Sequence, residues 1–199
     1  MEEKTDTTET DHKITEINTA LQFIEHHKKQ KESQRQHFQR QQHELKEEEC
    51  LVVFDFKENL RVGVGPREMG QDFYNKSQRS VFGVIVYYTD TQTKTIKQKN
   101  YHFLSEILSH DGLFVRDCLN TLHSVPFIRD RFKNFQYWSD CGPHFRNYEV
   151  LNETVFEIPK KFQVRTFHNF FGEKHGKNPF DSEFSILSQW YNVHTVSRR

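Results

Sequence analysis

The chain has 199 residues, enough for one ordinary domain and a tail, and its mean hydropathy of -0.87 is polar for a globular protein. Lys and Arg total 28 and so do Asp and Glu, so the net charge is zero and the overall basic signature of a nucleic-acid-coating protein is absent. The three cysteines, Cys50, Cys118 and Cys141, are odd in number and widely spaced, which argues against a disulfide framework and against a zinc finger.

No apolar run approaches the roughly 20 residues of a membrane span. The opening residues, Met1 to Asp6, lack a signal peptide's apolar core. The expectation is a soluble, intracellular protein without an organic cofactor. Residues 1–12 are acidic and Thr-rich, and read as a disordered tail. Residues 13–49 are rich in Gln, Glu, Lys, Arg and His and lack Gly and Pro, so they read as a polar helical segment. Ile14, Ile17, Leu21 and Ile24 give it one thin apolar stripe. Heptads are not sustained, which disfavours a dimerising coiled coil. Residues 1–49 hold fewer cations than acids and make a poor DNA arm. His26, His27, His37 and His43 lie here without the Cys or carboxylate pattern of a metal site.

Residues 50–199 read as the folded core, where nearly all 19 Phe lie. Leu51-Val-Val-Phe-Asp-Phe is a short apolar strand interrupted by one acid. Lys57 to Ser77 holds Gly63, Gly65, Pro66 and Gly70 and reads as a long loop. Its Gly63-Val-Gly-Pro is too short for a dinucleotide fingerprint. Val81 to Tyr88 is apolar on both faces, as a central strand should be. A turn at Thr89 to Thr93 and a strand in two pieces over Lys94 to Leu108 complete a hairpin. Asp111 can cap a helix to Leu122, whose Val115, Cys118, Leu119 and Leu122 share one face. Phe135 to Asp140 and Gln163 to Phe171 read as strands, and Phe180 to Trp190 as a helix. A strand joined through a helix to a later strand implies a parallel crossover. The expected fold is α/β: an RNase H-like mixed five-stranded sheet flanked by helices, with a polar N-terminal helix.

Three acids stand out. Asp55 sits inside an apolar strand, where an ionised carboxylate is costly unless it meets a cation or donors. Asp140 ends a strand, the region where α/β sheets gather ligands. Asp181 opens a helix. From local sequence alone, Asp140 also reads as a turn former and Asp181 as a helix N-cap. If the first and fourth strands are neighbours, Asp55 and Asp140 lie roughly 5 Å apart between backbones. Carboxylates that close repel, and divalent ions relieve the repulsion. Cys141 and His144 do not read as a thiol nucleophile and its base, because their spacing rarely aligns the two groups. Arg129, Arg131, Lys133, Lys160 and Lys161 read as solvated surface, with phosphate contact as the alternative.

Three stretches carry a family resemblance. Val53-Phe-Asp-Phe-Lys-Glu-Asn59 resembles a Met/Phe-Asp-Phe-x-Glu-Asn strand. Trp138-Ser-Asp-Cys-Gly-Pro-His-Phe-Arg-Asn147 resembles Ser-Asp-Gly-Cys-x-x-Gln-Phe-Lys-Asn. Asn169-Phe-Phe-Gly-Glu-Lys-His-Gly-Lys-Asn-Pro-Phe-Asp181 resembles Phe-Phe-x-x-x-His-Gly-Lys-Gly-Pro-Cys-Asp. All three belong to eukaryotic transposon-derived proteins with DDE-type, RNase H-like catalytic domains. The resemblance implies metal-dependent DNA cleavage and strand transfer, with two Mg²⁺ or Mn²⁺ ions. It makes Asp55, Asp140 and Asp181 the metal ligands, with Glu183 competing as the third acid. It makes His175 and Lys177, and the cations Lys57 and Arg146 of the first two stretches, nucleic-acid contacts. It implies transposon-end DNA as partner and a nuclear location, and allows a homodimer. The chain ends soon after Asp181, so a core shortened at its C-terminus is expected. An inactive RNase H-like module kept for binding, and an RNase H-like nuclease, are the competing readings.

Overall fold

A computed structural model describes residues 3–61, 78–172 and 180–196. The chain divides into two compact units, Met1–Gln39 and Arg40–Arg199. The first is helical. Its helix, α1 (Glu3–His43), begins before residue 13 and takes in residues that composition had set apart as a tail. Ile14, Ile17, Leu21, Phe23 and Ile24 are exposed along it. No helix among the described residues is long and apolar enough to cross a membrane.

The second unit is built on one sheet with five strands: β1 (Glu49–Arg61), β2 (Gln78–Thr89), β3 (Ile96–Ser105), β4 (Asn134–Ser139) and β5 (Arg165–Phe170). Their order across the sheet is β3-β2-β1-β4-β5. The β1–β2 and β2–β3 pairs are antiparallel, while β1–β4 and β4–β5 are parallel. This mixed arrangement, with helices on the sheet, is the RNase H-like fold. The helices are α2 (Gly112–Ser124), α3 (Pro126–Arg129), α4 (Tyr148–Asn152), α5 (Ile158–Phe162) and α6 (Phe180–Val196).

Strand periodicity sorts the core. Cys50, Val52 and Phe54 of β1 join Phe82, Val84 and Val86 of β2 and Phe135 and Tyr137 of β4 on one face. Val115, Cys118, Leu119 and Leu122 of α2 pack onto that face, as their helical spacing requires. The alternate residues Leu51, Val53, Val81, Ile85 and Trp138 face the other way and are also buried. Near that side the Trp138 indole donates to Gln41 Oε1 at 2.8 Å. The N-cap reading of Asp111 holds: its carboxylate accepts from the Phe114 N–H at 2.9 Å.

Two elements differ from expectation. The loop foreseen from Lys57 begins later, because β1 continues to Arg61. The β1–β2 register shifts between Lys57 and Leu60, which lets Glu58 and Asn59 pass and returns Leu60 to burial. β3, foreseen in two pieces over Lys94 to Leu108, runs unbroken from Ile96 to Ser105. The β4–β5 connection, on which the sequence carried no expectation, is helical. Asn147 caps α4 by accepting from the Val150 N–H. A π-helical stretch, Glu153–Glu157, leads into α5, and Pro159 stands in its first turn. In a π ladder Pro159 would donate to the Thr154 carbonyl, and proline has no donor. Thr166 Oγ1 supplies it instead, at 2.5 Å from Thr154 O.

Gly83 fixes α6. A Cβ there would meet Phe180 Cε1 at 2.6 Å and Phe184 Cε1 at 2.7 Å. The two rings stack with centroids 4.9 Å apart and occupy the place of a side chain on β2. Gly83→Val should displace α6 and cost roughly 1–3 kcal/mol as an overpacked site, readable by chemical denaturation, whereas equal stability would show that α6 does not press on this strand.

Two histidines, His123 buried and His168 half-buried, are held neutral. Thr154 Oγ1 gives its proton to Val150 O and accepts from His168 Nδ1 at 3.0 Å, while Ser139 Oγ, 3.1 Å from Asp140 O, lies 3.2 Å from His168 Nε2. His123 lies against the Tyr137 hydroxyl and is 1% exposed. Burial pushes His168 down to about 4, and burial followed by the Lys161 charge pushes His123 down to about 3, both from 6.5. The unfolded chain therefore takes up protons first as the pH falls. Their contribution to stability is full above about pH 6.5 and is lost progressively toward pH 4, by up to about 1.4 kcal/mol per unit for each ring. Urea titrations at pH 6.5 and 5.5 should show this slope, and His168→Gln should reduce it; a stability independent of pH in that window would contradict neutral burial.

Candidate metal centre

The register of β1 on β4 brings the first two acids together. Val53 stands opposite Trp138 in the parallel ladder. Two residues further along each chain come Asp55, inside β1, and Asp140, just past the end of β4. Side chains two apart share a face, so both carboxylates leave the sheet on the same side and at the same level. Among the described residues, one oxygen each of Asp55 and Asp140 and one ring nitrogen of His144 lie within 4.8 Å of one another. All three side chains are partly exposed.

Local backbone shapes each donor. Asp55 Oδ1 accepts from the Phe56 N–H at 2.8 Å. Asp140 Oδ1 accepts from the Gly142 N–H at 2.7 Å, which turns the chain at the strand end. The Phe145 and Arg146 N–H groups both donate to Gly142 O, at 2.9 and 2.8 Å, and close one tight turn. His144 is thereby carried back toward Asp140, with Nε2 at 3.8 Å from Oδ1. Its ring meets Phe145 edge-on at 4.3 Å and Phe56 at 5.5 Å between centroids. Phe56 also stacks on His110, 4.2 Å away, and His110 meets Asn59 Oδ1 at 3.1 Å. Burial, followed by the nearby His144 charge, lowers the His110 pKa.

The remaining candidates are spread around this centre. Gly83 is the β2 partner of Asp55, so the rings of Phe180 and Phe184 bring the first turn of α6 beside the Asp55 strand. Asp181 is in that first turn, and its side chain lies outside the described residues. Glu183 is turned toward the far strand, its Oε1 3.7 Å from Nε2 of His102, which is the β3 partner of Gly83. Burial lowers the His102 pKa and the Glu183 charge partly offsets this. Lys57, two residues beyond Asp55 on β1, holds its ammonium 5.7 Å from the Phe184 ring centre. Arg146 is exposed beyond the Gly142 turn. His175 and Lys177 lie outside the described residues. The Cys141 thiol uses its one proton on Phe171 O, at 3.1 Å, rather than on His144.

His144 is the member of this cluster that sequence reasoning missed. Spacing judged it only as a base for Cys141. The available signal was Asp140-x-Gly142-x-His144, a carboxylate and an imidazole four residues apart across a glycine.

No curated protein matches the chain. Two solved structures are similar to it in shape. The catalytic domain of Mos1 mariner transposase gives a TM-score of 0.47 at 11% identity, over 83% of this chain and 71% of that one. The Mos1 transposase paired-end complex with left transposon end gives 0.43 at 9% identity, over 81% of this chain and 47% of that one. A family described as a domain of unknown function (DUF8701) matches residues 34–187, a span that holds every strand of the sheet and the whole of the Asp55–Asp140–His144 cluster, and the chain belongs to that family.

Proposed function

We propose that this chain is a metal-dependent phosphodiester-cleaving core of the transposase type, acting on DNA and working in the nucleus. The observation that carries the reading is the pair Asp55 and Asp140, set side by side by the parallel β1–β4 register at the end of the sheet. Two carboxylates this close, partly out of water, disfavour each other's charge, and a divalent cation removes that penalty. The donor set fits such an ion: oxygen ligands for Mg²⁺ or Mn²⁺, accessible to solvent and to a phosphate. The resemblance of the three motif stretches supplies the DNA substrate and the strand-transfer step.

In this reading Asp55 and Asp140 hold the ions, and α6 brings the third acid, Asp181 or Glu183. Bound there, divalent ions supply Lewis acidity to the phosphodiester and to the attacking water or 3′-hydroxyl. The protein's own groups do the positioning. Lys57 lies on the same face of β1 as Asp55 and meets the DNA backbone as a point charge. Arg146 offers a planar fork to phosphate oxygens from the Gly142 turn. His175 and Lys177 steady the scissile strand just ahead of α6.

The test is conversion of supercoiled plasmid to nicked circles by the purified chain in Mg²⁺ or Mn²⁺. Asp55→Asn and Asp140→Asn should each slow nicking by at least about 100-fold, the scale of losing one electrostatic stabiliser, with unchanged circular dichroism. Nicking that survives the double variant would show that the activity belongs elsewhere. A wild type that binds metal yet never nicks would leave an inactive module of the same fold.

A further inference from the structure

We infer that His144 is a direct metal ligand, so that the centre is a mixed Asp55–Asp140–His144 site selective for Mn²⁺, Co²⁺ or Zn²⁺ over Mg²⁺. The inference rests on the reading that Asp55 and Asp140 hold a divalent ion, and adds a nitrogen donor to it.

Distance makes the first argument. His144 Nε2 is 3.8 Å from Asp140 Oδ1, well beyond a hydrogen bond. Two donors that flank one ion at about 2.0–2.2 Å each stand roughly 3–4 Å apart. The gap therefore matches shared coordination better than a shared proton. The Asp55 oxygen closes the same triangle within 4.8 Å.

Backbone makes the second. The turn that brings imidazole to carboxylate has no room for a side chain at its middle. A Cβ on Gly142 would meet His144 Cε1 at 2.6 Å and Asp140 Oδ1 at 2.9 Å. Any other residue there would force the two donors apart. The ring is also braced from behind: Phe145, fully buried, and Phe56 pack against it and limit its rotation. A braced, pre-aimed imidazole loses little freedom on binding, as a resident ligand should.

Chemistry makes the third. Carboxylates alone suit Mg²⁺, which demands oxygen donors and gives up its waters reluctantly. Imidazole shifts preference toward the transition ions, in the order that favours Zn²⁺ and Co²⁺ over Mn²⁺.

The deciding experiment loads the full chain with Mn²⁺ and records pulsed electron paramagnetic resonance for coupling to an imidazole nitrogen, beside calorimetric titrations with Co²⁺ and Mg²⁺. The wild type should show the nitrogen coupling. His144→Gln should abolish it while Mn²⁺ stays bound, weaken Co²⁺ by at least about 10-fold, and change Mg²⁺ by less than about 2-fold. Bound Mn²⁺ without nitrogen coupling, or Co²⁺ affinity unchanged in His144→Gln, overturns the His144 assignment and leaves the carboxylate pair standing. Mn²⁺ binding that is absent, or that survives Asp55→Asn/Asp140→Asn, overturns both.

Discussion

The pairing of β1 with β4 is the constraint on which the rest depends. From Glu49 opposite Asn134 to Val53 opposite Trp138, the two strands run parallel without a slip. A shift by one residue would send one carboxylate to the opposite face of the sheet. The register is held by burial on both sides. Cys50, Val52, Phe135 and Tyr137 enter the core under α2, while Leu51, Val53 and Trp138 are buried on the reverse. Each of these residues would be misplaced by a slip, so the same hydrophobic pattern that stabilises the sheet also aligns Asp55 with Asp140.

Around that pair the described residues make close contacts. Glycine appears where a neighbour must come near: Gly83 admits the rings of α6, and Gly142 admits the His144 ring against Asp140. Aromatic side chains do the complementary work. Phe54, Phe56, Phe82 and Phe145 form a continuous block beneath the site. Phe56 alternates with Asp55 along β1, so the acid on one face is backed by the aromatic block on the other. Stacked and edge-on rings resist rotation, which keeps the Asp140–His144 turn in place.

Much of this was legible in the sequence, for identifiable reasons. The strand order followed from one helix between two apolar runs, because a parallel crossover needs that helix. Asp55 announced itself as an acid where strands disfavour one. Asp111 named itself as a cap. What escaped reading was what long-range packing decides. The helical stretch from Tyr148 to Phe162 was hidden by Pro159 and by its charges, and it survives because a side chain of β5 replaces the missing donor. The end of β1 was hidden by Glu58 and Asn59, which a bulge accommodates. His144 was judged against Cys141, its neighbour in sequence, and not against Asp55, its neighbour only in the fold. The lean of Glu183 toward His102 depends on how α6 meets Gly83, which no local pattern encodes.

The central claim is that Asp55 and Asp140 are placed to share a divalent cation. Thermal unfolding of the full chain with and without Mn²⁺ or Mg²⁺, beside Asp55→Asn/Asp140→Asn, tests it most directly. Binding to the native state alone raises stability by mass action, about 2.7 kcal/mol when the ion stands at 100 times its dissociation constant. The account predicts that rise in the wild type and none in the double variant, which should also be the more stable protein in chelator because the paired charges are gone. Equal responses of the two proteins to metal, or no response in either, would contradict it.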